Sequence, residues 1–226
     1  MSGASDPSNA FGRVQEFVAE LLYRLLKIAV SPIVRSYFGL RVEGAENIPL
    51  KGGFICAANH ASFLDIFVIG TCTSQRLFFF IKDKYYRMSW LHWFFKLMGC
   101  IEIKSQGPNY SALRKGAGYL RQNRVLHIFP EGTRSGSGEL KQFHKGVAFL
   151  SVHTGVPILP VYLHGTHEAL GRHSWIPKPS PIACCIAAPL SPAGRSIDEV
   201  NSSLEEAIKE LEQRCVQIQG GHLDSL

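Results

Sequence analysis

Two short stretches of the 226-residue chain carry side chains whose types and spacing suit chemistry. The first is Asn59-His60-Ala61-Ser62-Phe63-Leu64-Asp65. His60 directly follows an apolar run, Phe54 to Ala58, that reads as a buried strand. The end of such a strand is where a sheet presents residues to a ligand. Asp65 falls five residues on, one turn into an apolar stretch that reads as a helix. A turn there can bring its carboxylate back to one imidazole nitrogen. Such a pair is a base with its orienter: the acid fixes the tautomer and stabilises imidazolium, and the ring takes a proton from a hydroxyl. Ser62-x-x-Asp65 ahead of an apolar helix is equally a capping box, with the acid on a backbone donor. A carboxylate has two oxygens and can serve both roles.

The second stretch is Phe129-Pro130-Glu131-Gly132-Thr133-Arg134-Ser135. It too follows an apolar strand, which would put it on the same sheet edge as His60. Gly132 permits a tight turn, and Arg134 offers a planar fork suited to phosphate. Glu131 can accept from a hydroxyl or orient the guanidinium. An ordinary glycine turn with a surface ion pair would look the same. The phosphate-binding G-x-x-x-x-G-K pattern is missing, and so is a G-x-S-x-G elbow, so no covalent acyl-enzyme is expected. His164, His167 and His173 cluster near Glu168, but a metal site needs three or four converging ligands. These are expected to be loop or surface histidines, with no metal and no cofactor.

The elements that must position these loops alternate between strand and helix. Strands are expected at 54–58, 100–104, 125–129, 158–163 and 181–187. Helices are expected at 62–73, 110–122, 143–153 (closed by Gly155) and 197–215, with a frayed tail from Gln217. This order predicts an α/β fold, a mixed sheet flanked by helices. It divides into an N-terminal amphipathic helical segment (1–40), a catalytic domain (41–215) and a tail (216–226).

In the N-terminal segment, Glu16, Glu20, Arg24, Lys27, Ser31 and Arg35 recur at helical spacing and make one polar stripe. Phe17, Leu21, Leu25, Ile28 and their neighbours cover the remaining, much wider circumference, and Pro32 should kink or end the helix. Either the helix caps the domain core, or it lies in a membrane interface. Residues 76–99 favour the second reading, because aromatics such as Phe78, Trp90 and Trp93 interleave with Arg76, Lys82, Lys84, Arg87 and Lys96. The charge of +6 suits anionic partners, but no run of five basic residues occurs, so nucleic acid is not expected. Six cysteines (Cys56, Cys72, Cys100, Cys184, Cys185 and Cys215) lack C-x-x-C spacing and are expected to be reduced core residues.

The pattern N-H-x-x-x-x-D followed by F-P-E-G-T-R-S, with Lys145-Gly146 and the segment 156–161 beyond, resembles the glycerolipid acyltransferases, the PlsC-type 1-acylglycerol-3-phosphate acyltransferases in particular. The resemblance covers about residues 40–190. It implies that His60 and Asp65 form a catalytic dyad and that the acceptor hydroxyl attacks an acyl thioester directly. Acyl-CoA or acyl carrier protein would be the co-substrate, and a membrane lipid the acceptor. The candidate substrate-binding residues are Asn59, Lys104, Glu131, Gly132, Thr133 and Arg134. It also implies a monotopic or peripheral protein at the cytoplasmic face of a membrane, with its N-terminal helix on the lipid. The chain departs from the family in one column: Ser105 stands where an acceptor-binding arginine is usual, with Lys104 one place earlier. The acceptor could therefore be another lysolipid or an acylated amino-acid lipid, and a non-catalytic lipid-binding protein of the same fold is the remaining alternative.

Overall fold

The computed structural model describes residues 7–136, 138–171 and 174–220. In chain order the elements are α1 (Pro7–Tyr37), β1 (Arg41–Glu43), β2 (Ile55–Ala58), α2 (Leu64–Cys72), β3 (Leu77–Lys82), α3 (Asp83–Tyr86) and α4 (Ser89–Leu97). They continue with β4 (Ile101–Ile103), α5 (Tyr110–Arg121), β5 (Val125–Ile128), α6 (Gly146–Thr154), β6 (Ile158–His164), α7 (Thr166–Ala169), β7 (Ala183–Ile186) and α8 (Ile197–Gly220).

One seven-stranded sheet runs β1-β7-β6-β2-β5-β3-β4. All neighbours are parallel except β6 and β7. The α/β class with a mixed sheet is therefore as the sequence implies. The central strands are buried on both faces, as expected for parallel pairing under helices. On one face Ile55, Leu126, Ile158 and Tyr162 pack with Leu120, Leu150, Leu204 and Ile208 from α5, α6 and α8. On the other, Phe54, Leu77, Val125 and Val161 pack with Val68 and Ile69 of α2 and Val34 of α1. Parallel pairing of Ile55 with Leu126 puts the C-terminal ends of β2 and β5 side by side, which is what the two loops require.

Several expectations are corrected. Helix α1 runs through Pro32 to Tyr37. Residues 76–99 are not one interfacial ribbon: Leu77 and Phe78 are core residues of β3, while Trp90 and Trp93 of α4 face solvent. Helix α6 starts at Gly146, later than the apolar run suggests. Helix α8 continues past Cys215 to Gly220, so the start of the expected tail is helical; residues 221–226 lie outside the described residues. Cys185 and Cys215 form a disulfide rather than two thiols, with Cα atoms 5.9 Å apart. The pairing arises because β7 presents Cys185 to the face that α8 covers with Cys215.

Helix α1 meets the rest of the molecule with a mixed side, in which Ala19 and Val34 are buried beside polar contacts. Glu16 bridges Arg76 and Arg124, the Tyr23 hydroxyl donates to the carbonyl of Gln75, and the Lys27 ammonium donates to that of Thr73. Phe17, Leu25, Ile28 and Ile33 are exposed on the outer side, Ile28 at 70%.

Candidate active site

The turn after β2 folds back on itself around Asp65, which is completely buried. One carboxylate oxygen, Oδ2, accepts from the backbone N–H groups of Ala61 and Ser62 and lies 2.8 Å from His60 Nδ1. The contact with the imidazole and the contacts with the backbone donors thus fall on a single oxygen. A carboxylate only accepts, so Nδ1 carries the proton and Nε2 keeps a lone pair. The imidazole plane is fixed from a second direction. The Phe129 ring stacks on it at 3.7 Å between centroids and 11° between planes. The Ser62 hydroxyl accepts from Leu64 N–H and donates to the Leu170 carbonyl, which ties this turn to the segment after α7.

The turn after β5 is built differently. Gly132 sits at φ 67°, a left-handed conformation open to glycine, and a Cβ there would meet the His144 ring at 3.0 Å. Glu131 is buried and accepts from the backbone N–H of His60 at 2.8 Å and of Lys141 at 3.3 Å. It therefore joins the two turns. Burial raises its carboxyl to about 6, and the two backbone donors oppose that only in part. The Arg134 guanidinium lies 3.8 Å from the centroid of Phe63, and its Nη1 is buried without a protein partner. Thr133 is exposed beside it.

Two further candidates make contacts outside these turns. The Asn59 side chain is buried, donating to Leu163 O at 2.9 Å and accepting from Leu163 N–H at 2.7 Å. It extends the β2–β6 ladder, so its role is to hold the strand end on which His60 follows. Lys104 is exposed at the end of β4, where its backbone pairs with the Asn109 side chain. Its neighbour Ser105 donates its hydroxyl to Asp83 at 2.5 Å, and the contact lowers the Asp83 carboxyl below its ordinary range. The position that holds an arginine in the resembling family thus anchors the start of α3 here.

Sequence reasoning missed Phe63, Phe129 and His127. The two phenylalanines lie inside the motifs, and the signal was available: each adjoins a candidate polar residue where a ring could stack. His127 alternates with Phe129 along the strand and extension to the next residue, so both rings share a face. They meet edge to face at 4.4 Å. His127 is buried, and burial, then the nearby His60, push its imidazole down to about 3. It stays neutral, and adds no positive charge beside His60.

A histidine held by a buried acid thus stands beside a glycine turn that carries a guanidinium, at the C-terminal edge of a mixed sheet. The family model described as acyltransferase matches residues 39–164, and the chain belongs to that family. A chloroplastic 1-acyl-sn-glycerol-3-phosphate acyltransferase of Brassica napus is 28% identical over 65% of this chain and 43% of its own length. The Bacillus subtilis protein of the same name is 22% identical over 87% of this chain and 100% of its own. The crystal structure of the 1-acyl-sn-glycerophosphate acyltransferase PlsC from Thermotoga maritima superposes with a TM-score of 0.74 at 27% identity, covering 90% of this chain and 88% of that one. The chain spans about two-fifths of the length of the chloroplastic relatives it matches.

Proposed function

We propose that the protein moves a fatty acyl group from acyl-CoA or acyl carrier protein to the free hydroxyl of a lysophospholipid, with 1-acylglycerol-3-phosphate as acceptor and phosphatidic acid as product. The observation that carries this reading is the His60–Asp65 pair, and the relatives' names support the acceptor. His60 Nε2 takes the hydroxyl proton while the acceptor oxygen attacks the thioester carbonyl. The tetrahedral intermediate collapses by breaking the carbon–sulfur bond, and imidazolium returns the proton to the departing thiolate. Asp65 holds the ring and offsets its transient charge. Arg134 faces the acceptor's phosphate. The engagement of Ser105 with Asp83 leaves one guanidinium fewer for that phosphate than the family pattern has, which favours testing an acylated amino-acid lipid beside it.

The acceptor is an amphiphile, and the outward apolar side of α1 with Trp90 and Trp93 of α4 supports a monotopic seat on the bilayer. Among the described residues no helix is long and apolar enough to cross a membrane.

The test supplies labelled acyl thioesters and a panel of lysolipids, with products read by mass spectrometry. Transfer to a lysolipid is expected, and His60→Ala is expected to lower it about 10²–10⁴-fold. Asp65→Asn should cost a comparable factor, since an amide favours the wrong tautomer. A folded His60→Ala protein with near-parental turnover would overturn the mechanism.

A further inference from the structure

Trp175 is the most exposed large apolar side chain among the described residues, at 96%, and its neighbour Ile176 is 77% exposed. They form the tip of a loop between α7 and β7 that is tied down on both sides of the tip. The Ser174 hydroxyl donates to Ile176 O at 3.0 Å and turns the tip. Lys178 N–H donates to Ala169 O at 2.8 Å, and the Ser62 hydroxyl holds Leu170 O at 2.7 Å. Pro177, Pro179 and Pro181 stiffen the exit. A braced loop that holds an indole and an isoleucine in water gains nothing for the fold from either side chain.

We propose that this tip is a lipid-insertion element, in which Trp175 and Ile176 enter the headgroup region of an anionic bilayer beside the C-terminal end of α1. This rests on the membrane reading of α1 and extends it to a second part of the chain. Three observations select lipid as the occupant. The tip adjoins the outward side of α1: the Tyr37 hydroxyl donates to Pro177 O at 3.2 Å, and Tyr37 and Ile33, one helical turn apart, are themselves 47% and 58% exposed. Charge is complementary, because residues 169–197 contain no Asp or Glu, while Lys178 flanks the tip and Arg35 lies on the last turn of α1. The Ser62 bond connects the same loop to the turn that carries His60 and Asp65, so the tip would bring the catalytic turn to the surface where an amphiphilic acceptor resides. Tryptophan suits that depth, with an apolar ring and one N–H for the headgroup level.

The chain has three tryptophans, which makes the test direct. In the Trp90→Phe/Trp93→Phe protein, Trp175 is the sole tryptophan. Vesicles of phosphatidylglycerol and phosphatidylcholine should shift its emission to the blue, and brominated acyl chains should quench it. In the otherwise intact protein, Trp175→Ser should weaken vesicle partitioning by roughly tenfold. It should leave the thermal midpoint, and turnover on a monomeric short-chain acceptor, unchanged. Ile28→Ser on α1 is the comparator. Loss of binding by Ile28→Ser with none by Trp175→Ser, or Trp175 emission that stays water-like on bound protein, overturns the inference while keeping α1 on the membrane. A blue shift without lipid that follows protein concentration also overturns it, in favour of a second copy. Quenching in a protein that transfers no acyl group upholds the insertion element and removes only the assigned reaction.

Discussion

The two turns at the edge of the sheet start from the same position, the C-terminal ends of neighbouring parallel strands, and arrive at different solutions. After β2, the acid and its donors belong to one turn: His60, Ala61 and Ser62 all converge on Asp65. That turn can be complete before substrate arrives. After β5, the acid reaches outward, taking one N–H from His60 and one from the segment before α6 at Lys141, while Arg134 keeps a buried Nη1 without a protein partner among the described residues. Preorganisation is therefore concentrated on the base, and the unmet hydrogen-bonding capacity on the guanidinium. A buried donor left unpaired costs about 1–3 kcal/mol, an expense that a bound anion would remove.

The contrast predicts that substitutions in the second turn act on the acceptor rather than on proton transfer. Arg134→Lys keeps the charge but loses the fork and the flat contact with Phe63. A charge-assisted hydrogen bond contributes about 1.5–3 kcal/mol, so KM for 1-acylglycerol-3-phosphate should rise roughly ten- to a hundredfold. kcat should change much less, because a remote contact made equally before and during reaction does not alter the chemical step. The check is steady-state kinetics with that acceptor and with an uncharged-head lysolipid. An equal response of the two would break the comparison and detach Arg134 from the phosphate.

Glu131 offers a sharper test, since its position between the turns leaves a signature in stability. Its carboxyl is raised from an ordinary 4.5 to about 6 by burial. Below pH 4.5 it is protonated in folded and unfolded chains alike, and its contribution is fully present. As pH rises from 4.5 to 6 the unfolded chain ionises first, so folding loses that contribution and does not regain it above 6. The loss is about 2 kcal/mol at 1.36 kcal/mol per pH unit. Glu131→Gln cannot ionise, so the stability of the variant relative to the parent should improve by about 2 kcal/mol between pH 4 and pH 7. Denaturant unfolding at both values measures it. A constant difference would show that Glu131 is not held in a desolvated site.

What the sequence made legible follows from local patterns. Both turns were found because an apolar strand followed by Asn-His or Pro-Glu-Gly is a short-range signal. The partners of Asn59 and Glu131 were not found, since Leu163 and His60 meet them only through the sheet order. The helices teach the same. An amphipathic pattern says that a helix has two sides, and tertiary structure decides which one turns inward. Helix α8 buries its apolar side through Val200, Leu204, Ile208 and Leu211. Helix α1 docks by the buried Ala19 and Val34 together with Glu16, Tyr23 and Lys27, leaving Ile28 outside. Pro32 failed as a stop signal because α1 packs on through Val34 and Phe38, and that packing outweighs one missing backbone bond. The disulfide could not be read from spacing, because it depends on which residues of β7 and α8 face each other.

The smallest predicted effect lies where the two turns touch. Phe129 belongs to the second turn but contacts the base of the first, its ring parallel to His60 and edge-on to His127. During transfer His60 carries a positive charge over that π-face, an attraction worth about 0.5–1 kcal/mol. Three titratable groups surround the ring: Asp65 on Nδ1, Glu131 on its backbone N–H, and His127 beyond Phe129. Phe129→Leu leaves both carboxylates in place and keeps apolar volume, while removing the stack on His60 and the edge contact with His127. Without the π-face, imidazolium forms less readily, and the acid limb of the kcat/KM profile should move to lower pH by about half a unit. Turnover on the plateau should fall by roughly threefold, as the ring loses one of its two orienting contacts. Phe129→Trp restores a π-face and should return the limb toward its parental position, which a simple packing defect would not do. If Phe129→Leu lowers turnover with no movement of the acid limb, and Phe129→Trp lowers it equally, the ring is filling space, and the base is oriented by its own turn alone.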